Sequence, residues 1–252
     1  MSSLKEREQF RKDIETGNRR YPSSFAYLPA CTKVVRYEEI LMLTGGLYPD
    51  KYVPLRNCDE MFGVLVSKRG NARLYIGREF EPADQGHKAV LILQRNGHPS
   101  YWMDTGIQER MNSLAAVKSC PQDAKVLVSG LGLGVVVLKL ARSGRPISIH
   151  VCELERDVIR LVWPRVVSWC KTKGYTPKLS IECTDVAEHL KQAKRRYNYI
   201  YLDIWPQVDP VYYKNATDMK ALARKNLLPK GRVTVWQIRQ MRPADQGIGA
   251  FL

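Results

Sequence analysis

The chain has 252 residues, 44% of them hydrophobic, with 40 Lys and Arg against 25 Asp and Glu, a formal net charge of +15. This is the composition of a globular protein long enough to bury a sizeable core. The longest apolar run, residues 126–141, is broken by glycines and Lys139 and falls short of a membrane span.

The first 20 residues are polar and charged and read as an arm without the apolar centre of a secretory signal. Residues 21–120 read as a small β-rich domain. Met61–Ser67 and Arg73–Ile76 form a strand pair across the turn Lys68-Arg69-Gly70-Asn71, and Val90–Gln94 pairs with Ser100–Met103 across Asn96-Gly97. Apolar residues at helical spacing from Ile107 to Val117 close this part with a helix.

From residue 121 to 252 the texture is alternating β and α. Strands are expected at Val126–Ser129, Ile147–Cys152, Leu179–Cys183, Tyr199–Ile204 and Arg232–Ile238. Helices are expected at Val135–Ala141, Arg156–Lys171 (kinked or interrupted by Pro164), Val186–Lys194 and Val211–Leu228. That order predicts an α/β fold with a Rossmann-like, doubly wound parallel sheet. Only 14 residues follow the fifth expected strand. The sheet therefore reads as short at its C-terminal side: it stops at five strands, or N-terminal strands cover the exposed edge, or another copy of the chain does.

Four expected strand ends carry residues suited to a nucleoside. The first runs into Ser129-Gly130-Leu131-Gly132-Leu133-Gly134, where glycines let the backbone turn sharply and approach a ligand. The same glycines would equally serve a tight strand–helix turn. The second ends at Glu153-Leu154, an acid placed to accept from both hydroxyls of a ribose. Glu155 and Asp157 are available to favour the next helix dipole, which leaves Glu153 for the ligand. The third ends at Asp185-Val186: Asp185 suits an adenine amino group, and the next N–H a ring nitrogen. Asp185 would be as good a helix cap. The fourth ends at Asp203-Ile204-Trp205-Pro206, with Asp203 pointing into the crevice as a candidate catalytic acid or base. Trp205 is a flat wall for a base or sulfonium, or a core residue.

Residues from about 88 to 238 resemble the class I S-adenosylmethionine-dependent methyltransferase superfamily, and more narrowly its spermidine-synthase-like branch. In that branch a small β-rich domain precedes the cofactor domain, and a Tyr-Gln-Glu-Met-like helix precedes the glycine loop. Here Ile107-Gln108-Glu109-Arg110-Met111 stands in that place. The resemblance implies cofactor contacts from Gln108, the loop residues Gly130, Leu131, Gly132 and Gly134, and from Glu153, Leu154, Asp185, Val186 and Asp203. The cofactor implied is S-adenosylmethionine or its decarboxylated form. The chain departs from the branch in two places. Leu133 stands where the synthases carry an Asp in Gly-Gly-Gly-Asp-Gly-Gly, and Asp203-Ile204-Trp205-Pro206 keeps only the first acid of Asp-Ser-Ser-Asp-Pro. Both losses weigh against a polyamine acceptor.

The expected activity is methyl transfer to an unidentified acceptor. Aminopropyl transfer, or a non-catalytic protein of this fold that binds nucleic acid, assembles, or sequesters or degrades the cofactor, stand as alternatives. Residues 121–252 carry 22 Lys and Arg against 11 Asp and Glu. This excess suits an anionic partner such as nucleic acid, and suits a well-solvated surface equally. A nicotinamide dehydrogenase is disfavoured because Val135 breaks the G-x-G-x-x-G pattern. The six cysteines form no C-x-x-C pair and there are four histidines. No metal site and no disulfide framework is expected, which suits a reducing cytoplasm.

Overall fold

A computed structural model describes residues 38–44, 64–78, 87–95, 98–192, 196–205 and 208–243. The expected arm at 1–20 and the Asn96-Gly97 turn lie outside the described residues, as do the first three residues of the strand expected from Met61.

A short helix α1 (Glu38–Thr44) precedes four antiparallel strands, β1 (Val64–Arg69), β2 (Ala72–Arg78), β3 (His87–Arg95) and β4 (His98–Asp104), joined in the order β1-β2-β3-β4. The β1–β2 turn uses Gly70 at φ +51°, a conformation glycine adopts without a Cβ penalty. Helix α2 (Ile107–Ser119) then leads into the second sheet.

That sheet contains β5 (Ala124–Ser129), β6 (Pro146–Glu153), β7 (Lys178–Cys183), β8 (Tyr197–Leu202) and β9 (Leu227–Val235). Every neighbouring pair is parallel, and the order is β7-β6-β5-β8-β9. The connecting helices are α3 (Val135–Arg142), α4 (Arg156–Thr172), α5 (Val186–Gln192) and α6 (Tyr213–Arg224), with α7 (Ile238–Met241) after β9. This is the Rossmann-like, doubly wound arrangement expected from the chain order, preceded by a β-rich unit. The direction of winding reverses between β5 and β8, and such a switch opens a crevice at the strands' C-terminal ends.

Burial explains the layout. β5 lies at the centre and is buried except at Lys125, whereas the edge strand β7 has no fully buried residue. One apolar cluster joins both sheets: Leu74 and Leu91 of the antiparallel sheet, Val162 and Val166 of α4, Leu138 of α3 and Val128 of β5. A second cluster on the other face holds Leu127, Cys152, Leu190, Leu202 and Trp205. Trp205 is thus a core residue, and its indole N–H donates to Asn215 Oδ1 at 2.9 Å.

Two expected elements are redrawn. Helix α4 continues through Pro164 without interruption, because that residue is exposed and the carbonyl it leaves unbonded can take water. The helix expected over Val211–Leu228 is a 3-10 turn at Pro210–Tyr212 followed by α6, which stops at Arg224. Leu227 instead pairs with Tyr197 as the start of β9. The Pro229-Lys230-Gly231 segment becomes an irregularity inside that strand, with Lys230 at φ +63°. Among the described residues, no helix is long and apolar enough to cross a membrane.

Candidate functional site

β7, β6, β5 and β8 are successive neighbours in the sheet, with the switch point between β5 and β8, so the glycine loop, Glu153, Asp185 and Asp203 stand at adjacent strand ends. The loop is held from within. Ser129 Oγ accepts from the Asp203 N–H at 2.9 Å, and the Gly130 N–H donates to the Cys152 carbonyl at 2.8 Å. Gly130, Gly132 and Gly134 all have positive φ, at +84°, +49° and +75°. Each is also crowded. A Cβ on Gly130 would lie 2.5 Å from the Asp203 carbonyl oxygen, and one on Gly134 2.6 Å from Val166 Cγ2. A Cβ on Gly132 would collide with Met103 Sδ.

Met103, at the end of β4, was not singled out in the sequence. Its sulfur rests on the loop and accepts the Leu133 N–H at 3.2 Å. Nothing in the local pattern marks it, because the contact joins β4 to a loop 30 residues on.

Glu153 is buried at 5% exposure, and its carboxylate is largely committed. Oε2 accepts from the Leu131 N–H at 2.7 Å and more weakly from Gly132 N–H at 3.4 Å, while Oε1 accepts from the Glu155 N–H at 2.9 Å. The sequence argument that Glu153 is left entirely for a ligand is therefore corrected: the loop's own unpaired N–H groups reach it first. The neighbouring acids are engaged elsewhere. Glu155 pairs with Arg95 at 2.5 Å, and Asp157 accepts the Asn71 N–H at 2.9 Å. A carboxylate has about four acceptor positions, so Glu153 keeps roughly one.

Asp185 does serve as a cap. Its Oδ1 accepts the Ala187 N–H at 2.6 Å at the start of α5, and the side chain is exposed. Val186 and Leu131 are buried, Leu133 is fully buried, and Leu154 is exposed. Gln108 lies in the first turn of α2, and its side chain lies outside the described residues.

Asp203 has a partner that sequence reasoning missed. Glu109 of α2 stands close enough for the Asp203 charge to oppose its ionisation. Burial, and then the charges of Asp203 and Asp104, push the Glu109 carboxyl well above its usual range, against the pull of Lys139. Burial raises the Asp203 carboxyl to about 7, with the Tyr201 hydroxyl acting in the opposite direction. The Tyr201 phenol is in turn driven up by burial and by both acids. Asp104 behaves oppositely. Bonds from Tyr101 and the Gly106 N–H, with Lys88 at 3.0 Å, outweigh its burial and hold it below its usual range. The Asp203 carboxyl, at about 7, thus lies near the range in which a general acid or base works best. The only signal for Glu109 in the sequence was its place in the Gln108-Glu109 motif.

No family model matches the chain, and no curated protein matches it. Solved structures do. A candidate sarcosine dimethylglycine methyltransferase from Galdieria sulphuraria is 16% identical over 51% of this chain and 44% of its own, at a TM-score of 0.36. Precorrin 8w decarboxylase from Methanobacterium thermoautotrophicum is 18% identical over 52% of this chain and 62% of its own, at 0.36. A candidate transferase from Pyrococcus horikoshii is 12% identical over 55% of this chain and 48% of its own, at 0.38. The chain therefore spans less than two thirds of each of these structures. Likeness of this size carries no argument about activity, which has to come from the site.

Proposed function

We propose that this chain is a transferase that binds an adenosyl cofactor, with S-adenosylmethionine as donor and methyl transfer as the reaction. The observation that carries the reading is Asp203 at the tip of β8, whose backbone is bonded to Ser129 and packed on Gly130 of the glycine loop at the switch point of the sheet. The residues at the neighbouring tips suit the nucleoside end of such a cofactor. Asp185 is exposed and would accept from an adenine amino group. Glu153 would offer its remaining acceptor position to the ribose while its other bonds hold the loop. Bound there, the sulfonium cofactor supplies an activated carbon. The chain's own part is to orient the acceptor and, through Asp203, to take its proton. The basic excess of the chain would attract the remainder of an anionic acceptor.

Two observations favour other readings. Glu109 adds a second carboxyl beside Asp203, which suits an amine acceptor and hence aminopropyl transfer from the decarboxylated cofactor. Met103 and Glu153 between them satisfy the loop's N–H groups internally, which suits a protein that uses the fold without the cofactor.

Calorimetric titration with S-adenosylmethionine, its decarboxylated form, S-adenosylhomocysteine, methylthioadenosine and NAD separates the three. Saturable binding of S-adenosylmethionine and S-adenosylhomocysteine, tighter than the decarboxylated form, is expected. Tighter binding of the decarboxylated form would select aminopropyl transfer. No binding by any adenosyl compound would refute the cofactor reading.

A further inference from the structure

The face of the sheet beneath α5 carries a cluster that the crevice does not use. His150 and Cys152 alternate on one side of β6. Their parallel register partners on β7 are Ser180 and Glu182. His189 projects onto them from α5. One ligand atom from each of His150, Cys152, Glu182 and His189 lies within 4.8 Å of all the others. We infer that these four side chains form a structural site for a divalent transition metal of the zinc class, which pins α5 to β6 and β7.

The donor set is two imidazoles, a thiol and a carboxylate, the mixture that zinc takes in four-coordinate sites. Metal–ligand distances of about 2.0–2.3 Å put tetrahedral ligands roughly 3.3–3.8 Å apart. The widest pair here must therefore close by about 1 Å. Two pairs are already inside that range or near it: Glu182 Oε2 lies 2.9 Å from His189 Nδ1 and 3.6 Å from His150 Nε2.

The outer contacts aim the rings. His150 Nδ1 is 2.9 Å from Ser180 Oγ, and His189 Nε2 is 2.8 Å from the Tyr197 hydroxyl. Each histidine thus uses one nitrogen on a hydroxyl and turns the other inward, as metal-binding histidines do.

Among the described residues, His150 Nε2 is buried and has no hydrogen-bond partner. If Nδ1–H donates to Ser180, this nitrogen presents a lone pair toward the Glu182 carboxylate. A divalent cation would take both inward nitrogens, the carboxylate and the Cys152 thiolate at once. Cys152 is 2% exposed, whereas the Glu182 side chain is 50% exposed, so the site is closed beneath and open on the solvent side. Four protein ligands fill a tetrahedral shell, which makes the site structural rather than catalytic. The sequence expectation of no metal rested on the missing C-x-x-C and on there being only four histidines. Here the ligands come from two neighbouring parallel strands and a helix, so no compact motif announces them.

The inference does not depend on the adenosyl reading, since Asp185 and Glu153 contribute no ligand. The test uses the full chain stripped with a chelator and titrated with Zn²⁺ and, separately, Co²⁺. One equivalent of Zn²⁺ is expected to bind, more tightly as pH rises because the Cys152 proton is released, and to raise the melting temperature. Co²⁺ should give the intense visible bands of a four-coordinate site together with a thiolate charge-transfer band. Cys152→Ser and His150→Gln should each weaken Zn²⁺ binding at least tenfold and abolish the thiolate band or shift the visible bands. Cys183→Ser, which removes an exposed thiol outside the cluster, should leave both signals unchanged. A wild-type chain without the Co²⁺ thiolate band, or binding equally strong in Cys152→Ser and His150→Gln, would overturn the proposal.

Discussion

Replacing Glu153 with Ala probes the central joint of the crevice. The carboxylate accepts two short N–H bonds, from Leu131 at 2.7 Å and Glu155 at 2.9 Å, and a longer one from Gly132 at 3.4 Å. Truncation leaves the first two donors without their acceptor at a position 5% exposed. Hydrogen bonds to a charged group contribute about 1.5–3 kcal/mol each, and an orphaned buried donor costs about 1–3 kcal/mol. Two such losses, offset in part by water entering the space, give an expected destabilisation of about 3 kcal/mol. That is a large share of a typical domain's net stability of about 5–15 kcal/mol. Glu153→Gln should cost less, about 1–2 kcal/mol. Its amide oxygen can still serve Leu131, but its NH₂ would face the Glu155 N–H, donor against donor. Urea unfolding followed by far-UV circular dichroism reads both variants, with an unchanged slope showing that the same surface unfolds. A Glu153→Ala variant within 0.5 kcal/mol of wild type, a threshold set near the usual scatter of surface substitutions, would refute the claim that this acid holds the loop.

Three further predictions follow from the same geometry. Asp203 has a raised folded pKa, so its contribution to stability is full below the unfolded value near 4 and is lost as pH rises toward about 7. Asp203→Asn should therefore gain melting temperature over wild type at pH 8 relative to pH 5, and identical pH profiles would remove the raised Asp203 carboxyl. Gly132→Ala should destabilise by at least about 1–2 kcal/mol, the cost of a non-glycine residue in the left-handed region, plus the collision with Met103. A double-mutant cycle with Met103→Ala should recover the collision part, and strict additivity would show that the sulfur does not rest on Gly132. Asp185→Ala should lose a helix cap, about 0.5–2 kcal/mol, whereas Asp185→Asn keeps it. On the proposed function both variants should weaken adenosyl binding in calorimetry, and Asp185→Asn with wild-type affinity would take that acid out of the site.

Local pattern determined much of this protein. Alternating strand and helix periods from residue 124 onward, and glycines at the close of β5, follow from rules that act over a few residues, and they suffice for the order of the elements and a crevice at the strand tips. The two hairpins were legible for the same reason. The end of α6 was not, because Leu227 belongs to a strand only through its pairing with Tyr197. Nor were the side-chain partnerships at the tips. Glu153 turns to the loop because backbone N–H groups 21 and 22 residues upstream arrive within bonding distance. Glu109 feels the Asp203 charge because the tertiary fold brings α2 near it, and Met103 meets Gly132 because β4 ends beside the loop. The histidine–cysteine–glutamate cluster arises because parallel pairing sets Cys152 opposite Glu182 and α5 folds back over both. Sequence dictates which residues are near in the chain and which way they alternate. Whether a carboxylate meets a proton, a backbone amide or a cation is decided by what the tertiary fold brings within about 3 Å of it, and by the water it removes.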